Sequence, residues 1–310
     1  MNPGLSVLLS IIVINYNTRD LLRACLTSIY QQTRKIDFEV IVVDNASTDG
    51  SREMLAQKFP TVKMILNAVN KGFAAANNQA IRQAAGQYLL LLNSDTVVLD
   101  GAIDKTVAFM KQHQEASIVG CKLLNPDGTL QPSCRSFPSL WNLFTEAFFL
   151  YRIFKHSSRF GEYYMSHFDH ESIREVEAVM GAFMLVRREV FAKAGMLDES
   201  YFMYSEEIEF CYRAGKQGCK VYFMPSAQII HSGGGSIERA QAHLEQVHQS
   251  QLQFIRAHFT GLQKYLGLFL KHSGIAIRIL AYFCAGLFTL NRRLVQKARS
   301  YSLVLSKTLR

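Results

Sequence analysis

The chain has 310 residues, 49% of them hydrophobic and 19% charged, with a formal charge of +9. That composition excludes a disordered or fibrous chain and leaves room for one large domain, or a core with an appendage. The charge is unevenly placed: all 25 acidic residues lie at or before Glu245, and residues 246–310 carry ten Lys or Arg and no carboxylate. A near-neutral body with a cationic tail is not the pattern of a domain that grips a duplex, so no nucleic-acid partner is expected.

In chain order, Val7–Asn15, Phe38–Asp44, Val62–Leu66 and Tyr88–Asn93 are short apolar runs that predict parallel strands buried on both faces. The apolar opening from Leu5 has no basic residue before it, the first being Arg19, and reads as a strand rather than a signal peptide. That reading places the body in the cytoplasm. Helical patterns cover Arg19–Gln31, Ser47–Lys58 and Phe73–Ala84. The first two open at Thr18 and at Asp44-Asn45-Ala46-Ser47, side chains suited to N-caps. Such alternation predicts a doubly wound α/β sheet, with ligands beyond the carboxyl ends of its strands. Those ends are Asn15, Asp44, Leu66 and Asn93, and three of them are polar. No GxGxxG follows the first strand and no GxxxxGK[ST] occurs, so a nucleotide would be held by side chains and a metal instead of a glycine cradle.

Beyond Asp95 the pattern predicts a helix over Gly101–His113, a strand over Ser117–Leu124 and a turn at Asn125-Pro126-Asp127-Gly128. Residues 141–168 then hold ten of the 35 aromatics, which fits either a helix pair packed on the core or a flap facing sugar or lipid. Next come the small-residue turn Gly181-Ala182, a strand over Phe183–Val186, and a helix opened by Ser205-Glu206-Glu207-Ile208-Glu209. A strand over Val221–Ile230 stops at His231, ahead of Ser232-Gly233-Gly234-Gly235-Ser236. In the tail, Lys264, Lys271, Arg278, Arg292 and Arg299 share one seven-residue register, while the longest uncharged apolar run has 12 residues. A basic amphipathic helix of this kind suits the surface of an anionic membrane better than its interior. The alternative is a helix packed on the body or in a dimer.

An oxygen from Asp95 and a nitrogen from His231 are suited to hold a divalent cation that grips a diphosphate. A free carboxylate nearby would deprotonate an incoming hydroxyl. These parts sit within an ordered set of motifs: Ile12-Val13-Ile14-Asn15-Tyr16-Asn17, the run from Val42 to Gly50, Asn70-Lys71-Gly72-Phe73 with Asn77-Asn78, and Leu91-Leu92-Asn93-Ser94-Asp95. Gly181 to Arg188, Leu197-Asp198-Glu199, Phe202 to Glu207, and His231 complete it. The set resembles glycosyltransferase family 2, in particular its rhamnosyltransferase-like branch of bacterial polysaccharide assembly, over about residues 8–235.

The resemblance implies a GT-A fold: a mostly parallel nucleotide-binding sheet with helices on both faces. It implies nucleotide contacts from Asn15, Tyr16, Asp44, Gly72, Asn78 and Asn93, with Asn93-Ser94-Asp95 at the DXD position. Asp95 and His231 would hold Mg²⁺ or Mn²⁺, and Gly181 and Ala182 would admit the sugar or acceptor. Glu207 takes the place of the catalytic base, with Glu206 as its rival, because the usual Glu-Asp-x-Asp is Glu206-Glu207-Ile208-Glu209 here. The implied activity is inverting transfer of a sugar, rhamnose by branch, from a nucleoside-diphosphate donor to a glycan or polyprenyl-linked acceptor. The expected organisation is a catalytic domain over 1–245, divided at 95/96 into nucleotide and acceptor halves, and a membrane-binding tail over 246–310. Its place would be peripheral, on the cytoplasmic face of the inner membrane. Two other readings stand beside this one: a catalytically degenerate assembly protein of the same fold, and a nucleotidyltransferase.

Overall fold

A computed structural model describes residues 7–233 and 237–308. The first residues of the apolar opening and Gly234–Ser236 of the glycine run lie outside them. The described residues form two compact units, one of residues 7–135, 169–202 and 206–233, the other of residues 136–168, 203–205 and 237–308. The boundary thus differs from a simple cut at 245/246: the aromatic-rich stretch belongs with the tail.

In the first unit the elements follow in order as β1 (Leu9–Asn15), α1 (Arg19–Gln32), β2 (Phe38–Asp44), α2 (Ser51–Lys58), β3 (Lys63–Leu66), α3 (Phe73–Gln83), β4 (Tyr88–Asn93) and β5 (Thr96–Leu99). Then come α4 (Ala102–Gln112), β6 (Ala116–Leu124), β7 (Leu130–Gln131) and β8 (Cys134–Arg135). Here the chain enters the second unit with α5 (Leu140–Ala147) and α6 (Leu150–Ile153). It returns through β9 (Arg174–Val176), β10 (Ala178–Val179), β11 (Phe183–Arg187), α7 (Arg188–Ala194), α8 (Glu206–Lys216) and β12 (Lys220–His231).

The main sheet runs β3-β2-β1-β4-β11-β6-β12-β5, with β7 on β6 and β9 on β12. Strands β3, β2, β1 and β4 are mutually parallel, and β11 joins β4 antiparallel. β1 is buried along its whole length, as an apolar run interrupted only by Ser10 before its polar end requires. Its neighbours are β2 on one side and β4 on the other, so the strand order reverses beside it and a crevice opens at the carboxyl ends. Register puts Asn15 opposite Asp44, and Ile14 opposite Asn93. The polar strand ends are therefore brought together in one row.

Three local expectations are corrected. β3 is an edge strand bonded only to β2, so Lys63, Met64 and Leu66 are exposed, and Lys63 pairs with Glu39 at 2.6 Å. Helix α2 starts at Ser51, four residues late, with Gly50 at φ +81° ahead of it. Thr18 makes no side-chain cap; Asp49 Oδ2 accepts from the Arg19 N–H at 2.8 Å instead, leaving the Thr18 hydroxyl to bond Asn15 Oδ1 at 2.7 Å.

The second unit is helical, adding α9 (Ile237–His258), α10 (Gly261–Phe288) and α11 (Arg292–Thr308) to α5 and α6. Its aromatic stretch packs on itself, with Trp141 stacked on Phe144 at 5.6 Å and its indole N–H bonded to the Arg159 carbonyl at 2.8 Å. The basic stripe does not all face outward. Lys271 and Arg278 are buried, and Lys271 Nζ lies 3.1 Å from Glu146 Oε1. Arg278 donates to the Glu146 carbonyl at 2.8 Å and stands 4.7 Å over the Phe149 ring. A buried cation needs a partner of this kind, and Glu146 on α5 supplies it. The exposed residues of α10 include Leu262, Leu266, Phe269, Leu280, Phe283 and Leu287, an apolar stripe at helical spacing. By length and composition α10 could cross a membrane, its most apolar 18-residue window having mean hydropathy 1.4.

Candidate active site

The crevice at the carboxyl ends of β1, β2 and β4 has a tightly bonded floor. Asn15 is fully buried and donates to Asp44 Oδ1 at 2.9 Å and to Ser47 Oγ at 2.9 Å. Asp44, also fully buried, accepts through Oδ2 from the Ser47 N–H at 3.1 Å and from Arg52 Nε at 2.6 Å. Burial alone would raise the Asp44 carboxyl, but the bonds from Ser47, Arg52 and Asn15 outweigh it and hold the group below the ordinary carboxylate range. Both residues spend their polar atoms on the protein. They shape the floor, and Tyr16 beside it is 50% exposed, while Arg52 bonds both Asp44 and the Asn67 carbonyl.

Two further residues expected at the nucleotide make close contacts within the protein. Asn78 is buried in α3, where it donates to the Leu197 carbonyl and to Glu199 Oε1 and accepts from the Leu197 N–H. Its amide pins the 197–199 segment and has no donor left for a nucleotide. Gly72 sits at φ +83°, and a Cβ there would lie 2.5 Å from the Phe202 carbonyl oxygen. Its glycine is required by that close approach. Asn45 Nδ2 takes up its carbonyl at 3.1 Å.

The opposite wall carries the ionisable groups. His231, at the end of β12, is paired in register with Thr96 on β5, which places it beside Asp95. Its Nε2 lies 3.3 Å from Asp95 Oδ1 and 3.3 Å from Asn93 Nδ2. Its Nδ1 lies 2.6 Å from Gln131 Oε1. Burial would raise Asp95, but the hydrogen bond and the charge that a protonated His231 ring offers more than offset it and keep the carboxyl low. Among the described residues no group of three or more His, Cys, Asp or Glu is arranged as a metal cage. One carboxylate and one imidazole nitrogen side by side do fit a cation that completes its shell with substrate phosphate oxygens and water.

The three carboxylates opening α8 have separate environments. Glu209 is ion-paired with Arg213 at 2.7 Å, an anchor within the helix. Glu206 is buried, and among the described residues its Oε2 has no hydrogen-bond partner. Desolvation, reinforced by the neighbouring Glu207 charge, pushes Glu206 well above the ordinary carboxylate range. Glu207 is partly exposed and flanks Gly181, where a built Cβ would meet Glu207 Cβ at 3.7 Å. The Ala182 carbonyl accepts from the Asn93 N–H at 3.1 Å. Gly181-Ala182 thus lies between the stem of the Glu207 side chain and the Asn93-Ser94-Asp95 turn, with Thr18 Oγ1 joined to Ser94 Oγ at 2.9 Å across the crevice. Gln131, Arg52 and Ser47 were not among the sequence-derived candidates. Arg52 and Ser47 lie inside or just after the Val42–Gly50 motif, whereas Gln131 has no motif of its own.

Residues 10–195 match the model of Glycosyl transferase family 2. The chain is 29% identical over 265 residues to the N-acetylglucosaminyl-diphospho-decaprenol L-rhamnosyltransferase of Mycobacterium tuberculosis, covering 82% of this chain and 85% of that protein. It is 32% identical over 235 residues to the O-antigen biosynthesis protein RfbC of Myxococcus xanthus, covering 75% of this chain and 18% of that one. Among solved structures, the mannosyltransferase PcManGT from Pyrobaculum calidifontis, in complex with GDP-Man and Mn²⁺, superimposes with a TM-score of 0.58 at 17% identity, over 99% of this chain and 88% of that chain. That similarity is one of fold, and the fold is GT-A.

Proposed function

The chain belongs to Glycosyl transferase family 2, and from that membership we propose that it is a metal-dependent inverting transferase moving rhamnose from a nucleoside-diphosphate donor to a polyprenyl-linked glycan. The observation that carries the reading is the link just described: Glu207 beside Gly181, and Ala182 bonded to Asn93, so a base and the Asn93-Ser94-Asp95 turn border one space. Tyr16, half exposed above the Asn15–Asp44 floor, offers a face for the base of the nucleotide. Glu207 takes the proton of the acceptor hydroxyl as its oxygen bonds the anomeric carbon on the face opposite the diphosphate. The carbon–oxygen bond to the diphosphate breaks, its electron pair leaves on the phosphate oxygen, and the anomeric configuration inverts. A divalent cation held by Asp95 and His231 would neutralise the charge gathering on the departing diphosphate. The low Asp95 carboxyl suits that task because it stays anionic.

Incubation with nucleoside-diphosphate sugars and a short polyprenyl-diphosphate N-acetylglucosamine, read by mass spectrometry, tests the assignment. Deoxythymidine-diphosphate rhamnose should give the product, with the inverted anomer by NMR. Transfer from hexose donors alone would replace the donor assignment. No turnover of any donor with any metal would favour a degenerate assembly protein.

Membrane attachment belongs to the same proposal, with its chemistry revised by the burial of Lys271 and Arg278. The exposed stripe from Leu262 to Leu287 spans about 37 Å at 1.5 Å per residue, and exposed Arg292, Arg293, Lys297 and Arg299 follow it. The full chain should therefore sediment with anionic liposomes, and much of that binding should persist in high salt, which screens the cations but not the apolar face. Phe269→Glu with Phe283→Glu should abolish sedimentation and spare turnover of a soluble acceptor. Unchanged sedimentation of the double variant would exclude this face.

A further inference from the structure

We infer that Gln131 is a positioning residue: it fixes His231 as the tautomer protonated on Nδ1, so that the Nε2 lone pair is presented beside Asp95. The inference rests on the cation reading above and extends it to a residue that no motif marks. The argument starts from groups that have only one possible role. The carbonyls of Leu130 and His231 can accept but never donate. Asn125 Nδ2 lies 3.4 Å from the Leu130 carbonyl and 2.9 Å from Thr129 Oγ1, so its NH₂ points there and its Oδ1 points at Gln131. Gln131 Nε2 lies 2.9 Å from Asn125 Oδ1 and 3.3 Å from the His231 carbonyl. Two acceptors therefore hold the NH₂ of Gln131 in one direction. Its Oε1 must face the imidazole, and it does, 2.6 Å from Nδ1. An amide oxygen accepts, so Nδ1 must donate.

The proton on Nδ1 determines the other nitrogen of the neutral ring. Nε2 then carries a lone pair, toward which Asn93 Nδ2 can donate at 3.3 Å. Asp95 Oδ1, also 3.3 Å away, faces that lone pair acceptor to acceptor, an arrangement favourable only with a cation between or beside them. In the opposite tautomer Nε2–H would donate to Asp95 and occupy both donor atoms. Gln131 excludes that state. The turn at Asn125–Gly128 and the pairing of Gln131 with Leu123 on β6 hold the glutamine itself in place.

The test compares wild type, Gln131→Leu and Gln131→Glu at a pH where His231 is neutral. Long-range nitrogen–proton NMR on ring-labelled histidine reads the tautomer in metal-free protein. Titration with Mn²⁺ in the presence of a nucleoside diphosphate reads the site without any turnover. Wild type should show Nδ1–H. Gln131→Leu should move the proton toward Nε2 and weaken Mn²⁺ binding by ~10–100-fold, the usual cost of removing a partner behind a metal-binding histidine. Gln131→Glu keeps an acceptor facing Nδ1 but sets its second oxygen against the Asn125 and His231 oxygens that the NH₂ had bonded, so it should restore the tautomer and recover the affinity only in part, which a merely structural role would not predict. An Nδ1–H signal unchanged in Gln131→Leu overturns the inference, as does unchanged Mn²⁺ affinity. If wild type binds no Mn²⁺ at all, the cation reading fails separately, and the metal-free NMR still decides the role of Gln131.

Discussion

Glu207→Gln should lower transfer by ~10²–10⁴-fold while leaving donor binding close to wild type. The substitution keeps the shape of the side chain beside Gly181 and removes only its capacity to take a proton. Glu206→Gln should behave in the opposite way. Burial and the Glu207 charge raise Glu206 and so favour its protonated form in the folded protein, which glutamine resembles in shape and hydrogen bonding. Transfer should therefore survive. The pH dependence of stability follows from the same shift. In the native state Glu206 holds its proton above the pH at which the unfolded chain releases it. Between the ordinary carboxylate value, about 4.3, and the raised native one, the folded state thus binds more protons than the unfolded, and stability falls as pH rises. Glu206→Gln removes that slope. Its thermal midpoint should exceed wild type at pH 8, with the difference closing as pH falls below the ordinary carboxylate range. Loss of transfer in Glu206→Gln but not in Glu207→Gln would reverse the assignment.

The separation of these two glutamates illustrates which features were legible in the chain. Consecutive helical residues point about 100° apart, so a Glu-Glu pair at a helix start announces that one side chain differs from the other, but not which one is buried. The strands nearest the site were legible because β1, apart from Ser10, and β4 are apolar runs that end abruptly in Asn15 and Asn93. β3 carries a similar short run, yet nothing local records that no strand follows it in the sheet. The tail shows the limit most clearly. A seven-residue register groups Lys271 with Arg278, but whether that side faces water or protein depends on Glu146, 125 positions away from Lys271. Gln131 was hidden for a related reason: a two-residue strand has no periodicity, and the partners that orient it are fixed by a turn and by the end of β12. Thr18 and Ser47 were recognised as polar and misassigned as caps, because a crevice lined by Asn15 and Asp44 competes for their hydroxyls.

Asp95→Asn should abolish the Mn²⁺-dependent part of nucleoside-diphosphate binding and reduce transfer by ~10²-fold or more, since a bound cation contributes several kcal/mol at a developing phosphate charge and each 1.36 kcal/mol is tenfold. The asparagine is nearly isosteric and can still bond His231, so folding should be retained. The direction in EDTA provides the discriminating sign. With no cation present, the Asp95 carboxylate repels an incoming diphosphate. Its removal should leave binding in EDTA equal to wild type or tighter. His231→Ala should reproduce the loss with Mn²⁺, and the double variant should lose little more than either single one, because the two side chains act as one site. Calorimetric titration of the four proteins with a nucleoside diphosphate, each in Mn²⁺ and in EDTA, measures these effects. Equal loss in both conditions would mean that Asp95 acts on the nucleotide or on the fold, and additive losses in the double variant would mean that Asp95 and His231 do not share a cation.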